Sequence, residues 1–166
     1  MRPAPQSAHT VEKIGGTSIA ATDAVLRNVF LNCRADDGLY RRVFIVSAYA
    51  GVTDLLLEDK NTGEPGVYAL FASAESDWSW GEALTAAYER MRTINGEIFS
   101  APADRTAADT FVRDRIEGAR SCLIDLHRLC SYGHFRLTEH LSTVREMLAA
   151  IGEAHSAHNT ALLLRR

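Results

Sequence analysis

Lys13-Ile14-Gly15-Gly16-Thr17-Ser18 is the segment of this 166-residue chain whose residue types and spacing speak most directly of chemistry. A glycine pair between a strand and a helix exposes successive backbone N–H groups, and the helix start adds partial positive charge. Without side chains at Gly15 and Gly16 a phosphate can approach the backbone closely. Lys13 stands just before the pair, where its ammonium can neutralise a transferring phosphoryl group. The lysine precedes the glycines, so this is not a Walker A loop, and G-x-G-x-x-G is absent, so it is not a dinucleotide fingerprint. The bland alternative is a tight strand–helix turn with a surface lysine.

Two further segments bear on that choice. Ser47-Ala48-Tyr49-Ala50-Gly51-Val52-Thr53-Asp54 also follows an apolar run and leads into a helical pattern. In a parallel sheet the carboxyl ends of both strands lie on one edge, so the two small-residue turns would flank one cleft. Ser47 and Thr53 would offer hydroxyls to a carboxylate or phosphate, and Tyr49 reads equally as a lid or a packing residue. The third segment is Ile151-Gly152-Glu153-Ala154-His155-Ser156. Here Gly152 would let a helix pass close to the cleft and Glu153 would meet a substrate amine, against the plainer reading of Glu153 as a solvent-facing helix residue. His155 and His158 share a helix face, but with no Cys or Asp ligand at matching spacing no metal site is expected. His127, His134 and His140 read as surface or cap residues.

The elements that must hold these segments follow from periodicity. Residues 9–14 read as a strand, closed by Gly15-Gly16, with Thr17 or Ser18 capping the next helix. That helix is expected from Ala20 to Cys33, with Val25, Leu26, Val29, Phe30 and Cys33 on one face. Arg42–Ser47, with its unbroken Val43-Phe44-Ile45-Val46 run, suits a strand covered on both faces. Strand, helix, strand makes a right-handed βαβ unit. Val52–Glu58 reads as a short helix and Asp59–Gly66 as a loop. From about Trp80 to Arg165 the pattern is helical, broken near Ser100-Ala101-Pro102 and Ser131-Tyr132-Gly133. One stripe runs through Phe111, Val112, Ile116, Ala119, Leu123, Leu126 and Leu129, and another through Leu137, Leu141, Val144, Leu148 and Ile151.

Two strands are a thin sheet for so many helices. The chain also stops on Leu162-Leu163-Leu164-Arg165-Arg166, so the expectation is a longer natural chain that supplies more strands, against a complete small α/β protein.

Composition narrows the class. Hydrophobic residues make up 46% and charged residues 23%, with a net charge of -3, which suits a globular protein and gives no cationic field for a nucleic-acid backbone. Cys33, Cys122 and Cys130 lack metal-ligand spacing and read as free thiols in a reducing cytosol. Residues 1–9 read as a loose leader, not a secretory signal. No stretch approaches the ~20 apolar residues of a spanning helix, so a cytoplasmic protein with no membrane and no nucleic-acid partner is expected.

Taken together the three segments resemble the aspartate kinases of the amino-acid kinase family. Lys13-Ile14-Gly15-Gly16-Thr17-Ser18 resembles their opening K-F-G-G-T-S motif, with Ile14 in place of the usual Phe. Ser47 to Asp54 resembles S-A-x-x-G-[VI]-T-[ND], and Gly152-Glu153 with Ser156 resembles G-E-x-x-S. The order agrees, and the resemblance covers nearly all of the chain after residue 9. The loop Thr62-Gly63-Glu64-Pro65-Gly66 further resembles the branch linked to ectoine synthesis.

The resemblance implies an α/β/α sandwich around a largely parallel sheet, of which 10–166 would be the N-terminal, substrate- and phosphoryl-side part. It implies transfer of the γ-phosphoryl group of ATP, with Mg²⁺, to the β-carboxylate of L-aspartate, giving 4-phospho-L-aspartate in a homo-oligomeric enzyme of lysine, threonine, methionine or ectoine synthesis. Lys13 would contact the transferring phosphates, with Gly15, Gly16, Thr17 and Ser18 around them. Ser47, Ala48 and Thr53 would line the aspartate and phosphoryl cleft, and Glu153 would orient the aspartate amine. Positioning and charge neutralisation would carry the catalysis, since the substrate carboxylate itself attacks. The family's G-R-G-G-S-D segment, its later nucleotide-binding lysine and loops and its regulatory ACT domains are absent from this sequence, so the chain alone is expected to be inactive. The competing readings are another enzyme of the same fold, acting on glutamate, carbamate or a nucleoside monophosphate, and an inactive fragment that self-associates through uncovered helix faces.

Overall fold

A computed structural model describes residues 9–31, 40–73, 78–133 and 135–165. Residues 1–8, Cys33 and His134, about which the sequence raises expectations, lie outside the described residues.

Strand β1 (Thr10–Ile14) pairs in parallel with β2 (Arg42–Val46), in a register that sets Lys13 beside Ile45 and Ile14 beside Val46. Among the described residues the sheet has these two strands and no others. Alternation along each strand sends Glu12, Ile14, Phe44 and Val46 to the helical side and Val11, Lys13, Val43 and Ile45 to the other. That other face is open: Val11 is 65% exposed, Val43 47% and Ile45 53%. The apolar run expected of a strand covered on both faces is there, but among the described residues a layer lies on one side only.

Between the strands the expected single helix from Ala20 to Cys33 is instead built in pieces. Helix α1 (Gly16–Ala20) starts directly on Gly15 and stops at Ala21, whose backbone leaves the helical region at φ -84°, ψ 58°. Helix α2 (Thr22–Val25) then widens into a π-helical segment, Leu26–Leu31. Because α1 begins at Gly16, Thr17 and Ser18 fall within its first turn. Neither caps it, and Gly15 holds the cap position with no side-chain bond.

Arg42, nearly fully buried, fixes this half of the molecule. Its guanidinium donates to both carboxylate oxygens of Glu12 and, at 2.6 Å each, to the carbonyls of Val29 and Phe30, and it lies over the Phe44 ring. Helix ends leave carbonyls without intrahelical partners, and here one arginine serves two of them while locking β2 to β1. The Glu12 carboxylate holds the Arg42 pKa above its ordinary value.

The remainder is helical. Helix α3 (Val52–Leu56) follows the second turn, and α4 (Val67–Ser73), which the sequence pattern did not disclose, precedes α5 (Ser79–Ile98), α6 (Pro102–Ser131) and α7 (Leu141–Leu164). Pro102 opens α6, where a missing N–H costs nothing. Gly133, at φ 77°, follows its end, donating its N–H to the Cys130 carbonyl. Both breaks expected from the sequence therefore fall where Pro and Gly put them. Helices α5, α6 and α7 pack on one another, with α3 and α4 against α5 and α7. Val112, Ile116, Ala119 and Leu123 of the α6 stripe and Val144, Leu148 and Ile151 of the α7 stripe are buried in this core, whereas Leu129 is 45% exposed. Among the described residues no helix is long and apolar enough to cross a membrane.

The loop after α3 closes on itself. Asp59 accepts hydrogen bonds from the backbone N–H groups of Asn61 and Thr62, which lowers its pKa, and Gly63 takes a left-handed φ of 74°. The segment then returns to α3, with Glu58 bridging Pro65.

Candidate functional site

The two small-residue turns meet at one rim of the sheet. The Ser47 N–H donates to the Ile14 carbonyl at 3.0 Å, so the second turn leaves β2 beside the point where the first leaves β1. A methyl group placed on Gly16 would sit 2.5 Å from the Ala48 carbonyl oxygen. No real side chain tolerates that approach, so Gly16 is required by the closeness of the second turn. Gly15, in contrast, has open space where a side chain would stand. The turn itself is made by Gly51, which at φ 79° adopts a conformation that suits glycine and starts α3.

The third segment arrives from the other side. A Cβ on Gly152 of α7 would lie 2.9 Å from the Ala48 Cβ and 3.2 Å from Val52 Cγ1. Ala48 is thus touched by a glycine from each of the other two segments, one against its carbonyl and one against its methyl. Residues far apart in sequence are gathered on one small side chain.

The polar groups around this junction are available. Lys13 is exposed on the open face of the sheet and makes no ion pair among the described residues. The hydroxyls of Thr17, Ser18, Ser47 and Thr53 engage no side-chain hydrogen bonds among the described residues. Thr17 and Ser18 are exposed, Ser47 and Thr53 half-buried. The first N–H groups of a helix have no intrahelical acceptor, and at the start of α1 no side chain caps them. Glu153 is exposed on α7, next to Gly152, and forms no ion pair among the described residues. The structure brings Gly16, Ser47, Ala48 and Gly152 together. It does not carry the side chains of Lys13 or Glu153 into contact with them.

A cavity of about 870 Å³ borders the second turn, lined by Tyr49, Ala50, Ala21, Ile94 and Leu163 among others. None of the site residues expected from the sequence lines it.

Tyr49 is buried and packs edge-on against His155, their ring centres 5.1 Å apart. It is a packing residue, and the lid reading falls away. Beneath it lies a polar cluster that the sequence reading missed. Asn95 Oδ1 accepts a hydrogen bond from Asn159 Nδ2 at 2.8 Å and lies 2.7 Å from His155 Nε2. Asn159 Nδ2 also lies 3.1 Å from that ring nitrogen, closing a triangle of polar contacts. The Asn95 amide in turn donates to Asp109 at 2.9 Å. Asn95, His155 and Asn159 are all fully buried. Burial, with the neighbouring His158 adding to it, pulls the His155 pKa down to about 4. Burial pushes Tyr49 up to about 12, although a hydrogen bond with Asn159 acts the other way. The signal was present in the stripe of α7: Leu148, Ile151, Gly152, His155 and Asn159 continue one helical face. Polar residues that extend an apolar face are buried ones needing partners.

Over 158 residues the chain is 53% identical to an aspartate kinase, Ask_Ect, of Stutzerimonas stutzeri (strain A1501), a match covering 95% of this chain and 33% of that protein. The chain therefore spans about a third of the length of the curated relative it matches. No family model matches it, and no solved structure does.

Proposed function

We propose, for a chain 53% identical to an aspartate kinase over 158 residues, that it forms the phosphoryl- and aspartate-binding side of an enzyme transferring the γ-phosphoryl group of ATP to the β-carboxylate of L-aspartate. The observation that carries the reading is the junction at Ala48, where Gly16 and Gly152 both come too close for any side chain. Three segments matching the family's motifs are thereby gathered at the carboxyl end of a parallel strand pair, the edge at which α/β proteins bind ligands.

In this reading Gly15, Gly16, Thr17 and Ser18 hold phosphate through backbone N–H groups and hydroxyls, since Gly15 leaves room for an anion to reach the backbone. Lys13, exposed at the same strand end, neutralises charge on the phosphoryl group in transfer. Ser47, Ala48 and Thr53 line the aspartate side, and Glu153 orients the substrate amine. Mg²⁺ would enter on the ATP phosphates, its usual mode of binding, and would offset their charge. Residues 10–166 act as one part of the kinase domain, within a cytoplasmic homo-oligomer serving amino-acid or ectoine synthesis.

The test is ATP-dependent aspartyl hydroxamate formation. The 166-residue chain is expected to show no turnover. Fused to the unmatched two thirds of the Stutzerimonas stutzeri kinase, it is expected to turn over, with Lys13→Ala lowering kcat by roughly 100-fold or more. Normal turnover by the chain alone, or a fusion indifferent to Lys13→Ala, would overturn the assignment. A fusion that prefers L-glutamate to L-aspartate would favour a different member of the fold.

A further inference from the structure

We propose that Tyr49 is a positioning residue for the aspartate side of the site: the buried Asn95–His155–Asn159 cluster holds its side chain, and through it the turn that carries Ser47, Ala48 and Thr53. The inference rests on the reading of that turn given above.

The turn has little else to fix it. Between Ser47 and Val52 the chain reads Ala-Tyr-Ala-Gly, so Tyr49 is its one large side chain. Ala50 and Gly51 are exposed, whereas Tyr49 is 3% exposed. Backbone bonds secure the two ends: the Ser47 N–H donates to the Ile14 carbonyl, and the Val52 N–H returns to the Tyr49 carbonyl at 3.1 Å. On one side Tyr49 lines the 870 Å³ cavity, so packing does not close around it from that direction. On the other its ring lies edge-on against His155, and its hydroxyl shares a hydrogen bond with Asn159. A buried phenol needs such a partner. A side chain serving only to fill space would not.

The partners are themselves held. His155 and Asn159 stand one turn apart on α7 and both meet Asn95 of α5, whose amide donates to Asp109 of α6. All three are fully buried, where an unmade polar contact is costly. The phenol is therefore oriented by a network drawn from three helices, and such networks act as a unit. Helix α7 also presses Gly152 against Ala48 and carries Glu153. One helix thus sets the turn at two points and bears the carboxylate assigned to the substrate amine. The spacing between the turn's hydroxyls and Glu153 then depends on how Tyr49 is seated. Aspartate must be met at both ends at once, so a loosened turn should weaken its binding before that of ATP.

The experiment uses the chain fused to the unmatched two thirds of the Stutzerimonas stutzeri kinase. Tyr49→Phe keeps the ring on His155 and deletes only the hydroxyl. It is expected to raise KM for L-aspartate about tenfold while KM for ATP stays within about twofold. Asn159→Ala should give the same split, and the double variant should raise KM no further than the larger single change, because both remove one contact. A purely structural role would lower the active fraction, and with it kcat, without moving KM for one substrate. An unmoved KM for L-aspartate, an equal rise for both substrates, or additive effects would overturn the proposal. Tyr49→Phe alone decides if Asn159→Ala fails to fold. A wild-type fusion without turnover would count against the kinase reading instead, and the 166-residue chain then decides the positioning. In its ¹H–¹⁵N spectrum Tyr49→Phe should shift the amides of Ser47, Ala48 and Thr53, and amides left in place would overturn it.

Discussion

The strand-bearing half and the helical half of this chain solve the burial problem differently. Helices α5, α6 and α7 bury their apolar stripes against one another, and Leu84, Met91, Ile116, Leu123 and Leu148 are all shielded from solvent. The half built from β1, β2 and the broken helix between them closes one face, through Phe30, Phe44 and the Arg42 fork, and leaves the other open. The helical half supplies most of a core that runs on into the strand half through Ile14, Ile19 and Phe30. The half that carries Gly15 and Gly16 depends on contacts from elsewhere, including that of Gly152 of α7 with Ala48.

The contrast can be broken by mutation, most forcefully in the helical core. Leu148→Ala should cost about 2–5 kcal/mol of stability, as cavity-forming core changes do, whereas Val43→Ala on the open face should stay within about 0.5 kcal/mol. Urea denaturation of the two variants measures both, and comparable losses would erase the distinction between the halves.

Acid should act next, and through the helical half. The pKa of His155 falls from 6.5 unfolded to about 4 folded, so the unfolded chain binds more protons between those values and stability rises with pH across that window. The stabilisation is complete above the unfolded pKa and is lost as pH falls toward 4, an effect on the order of 3 kcal/mol. His155→Gln should flatten this part of the stability–pH curve, even where it lowers stability at neutral pH. An unchanged slope in that variant would mean the imidazole is not buried in its neutral form.

A smaller effect is expected where the halves touch. Gly152→Ala puts a methyl 2.9 Å from the Ala48 side chain and should cost about 1–3 kcal/mol, the usual range for overpacking. In a ¹H–¹⁵N spectrum the amides of residues 47–52 should move more than those of α6, and a spectrum disturbed only within α7 would deny the contact. Smallest of all, Lys13→Ala should leave stability within about 0.5 kcal/mol, since the side chain is exposed and unpaired among the described residues. A larger loss would make it a structural residue.

Legibility follows the same division. The ends of α5, α6 and α7 were readable because Pro102 and Gly133 punctuate the chain and the stripes repeat over many turns. The first helix was not, because an apolar face at helical spacing is the same for a continuous helix and for one interrupted at Ala21. Helix α4 escaped notice because seven residues are too few for periodicity to stand out. Of the junction, the glycines were legible as motifs, but the contact of Gly16 and Gly152 with the same alanine was not, since it depends on how α7 crosses the sheet rim. The Asn95–His155–Asn159 cluster joins helices distant in sequence, and only its α7 members carried a local signal.

Arg42 has one further consequence. Its guanidinium rivets a strand, its neighbour and the tail of a helix at a single point, through donors held in a fixed planar fork. Lysine, a point charge on a flexible stem, cannot reproduce that joint. The strand pair and the helical segment that precedes β2 must therefore shift as one body, and a tug felt at the first bend is passed on to the second without slack.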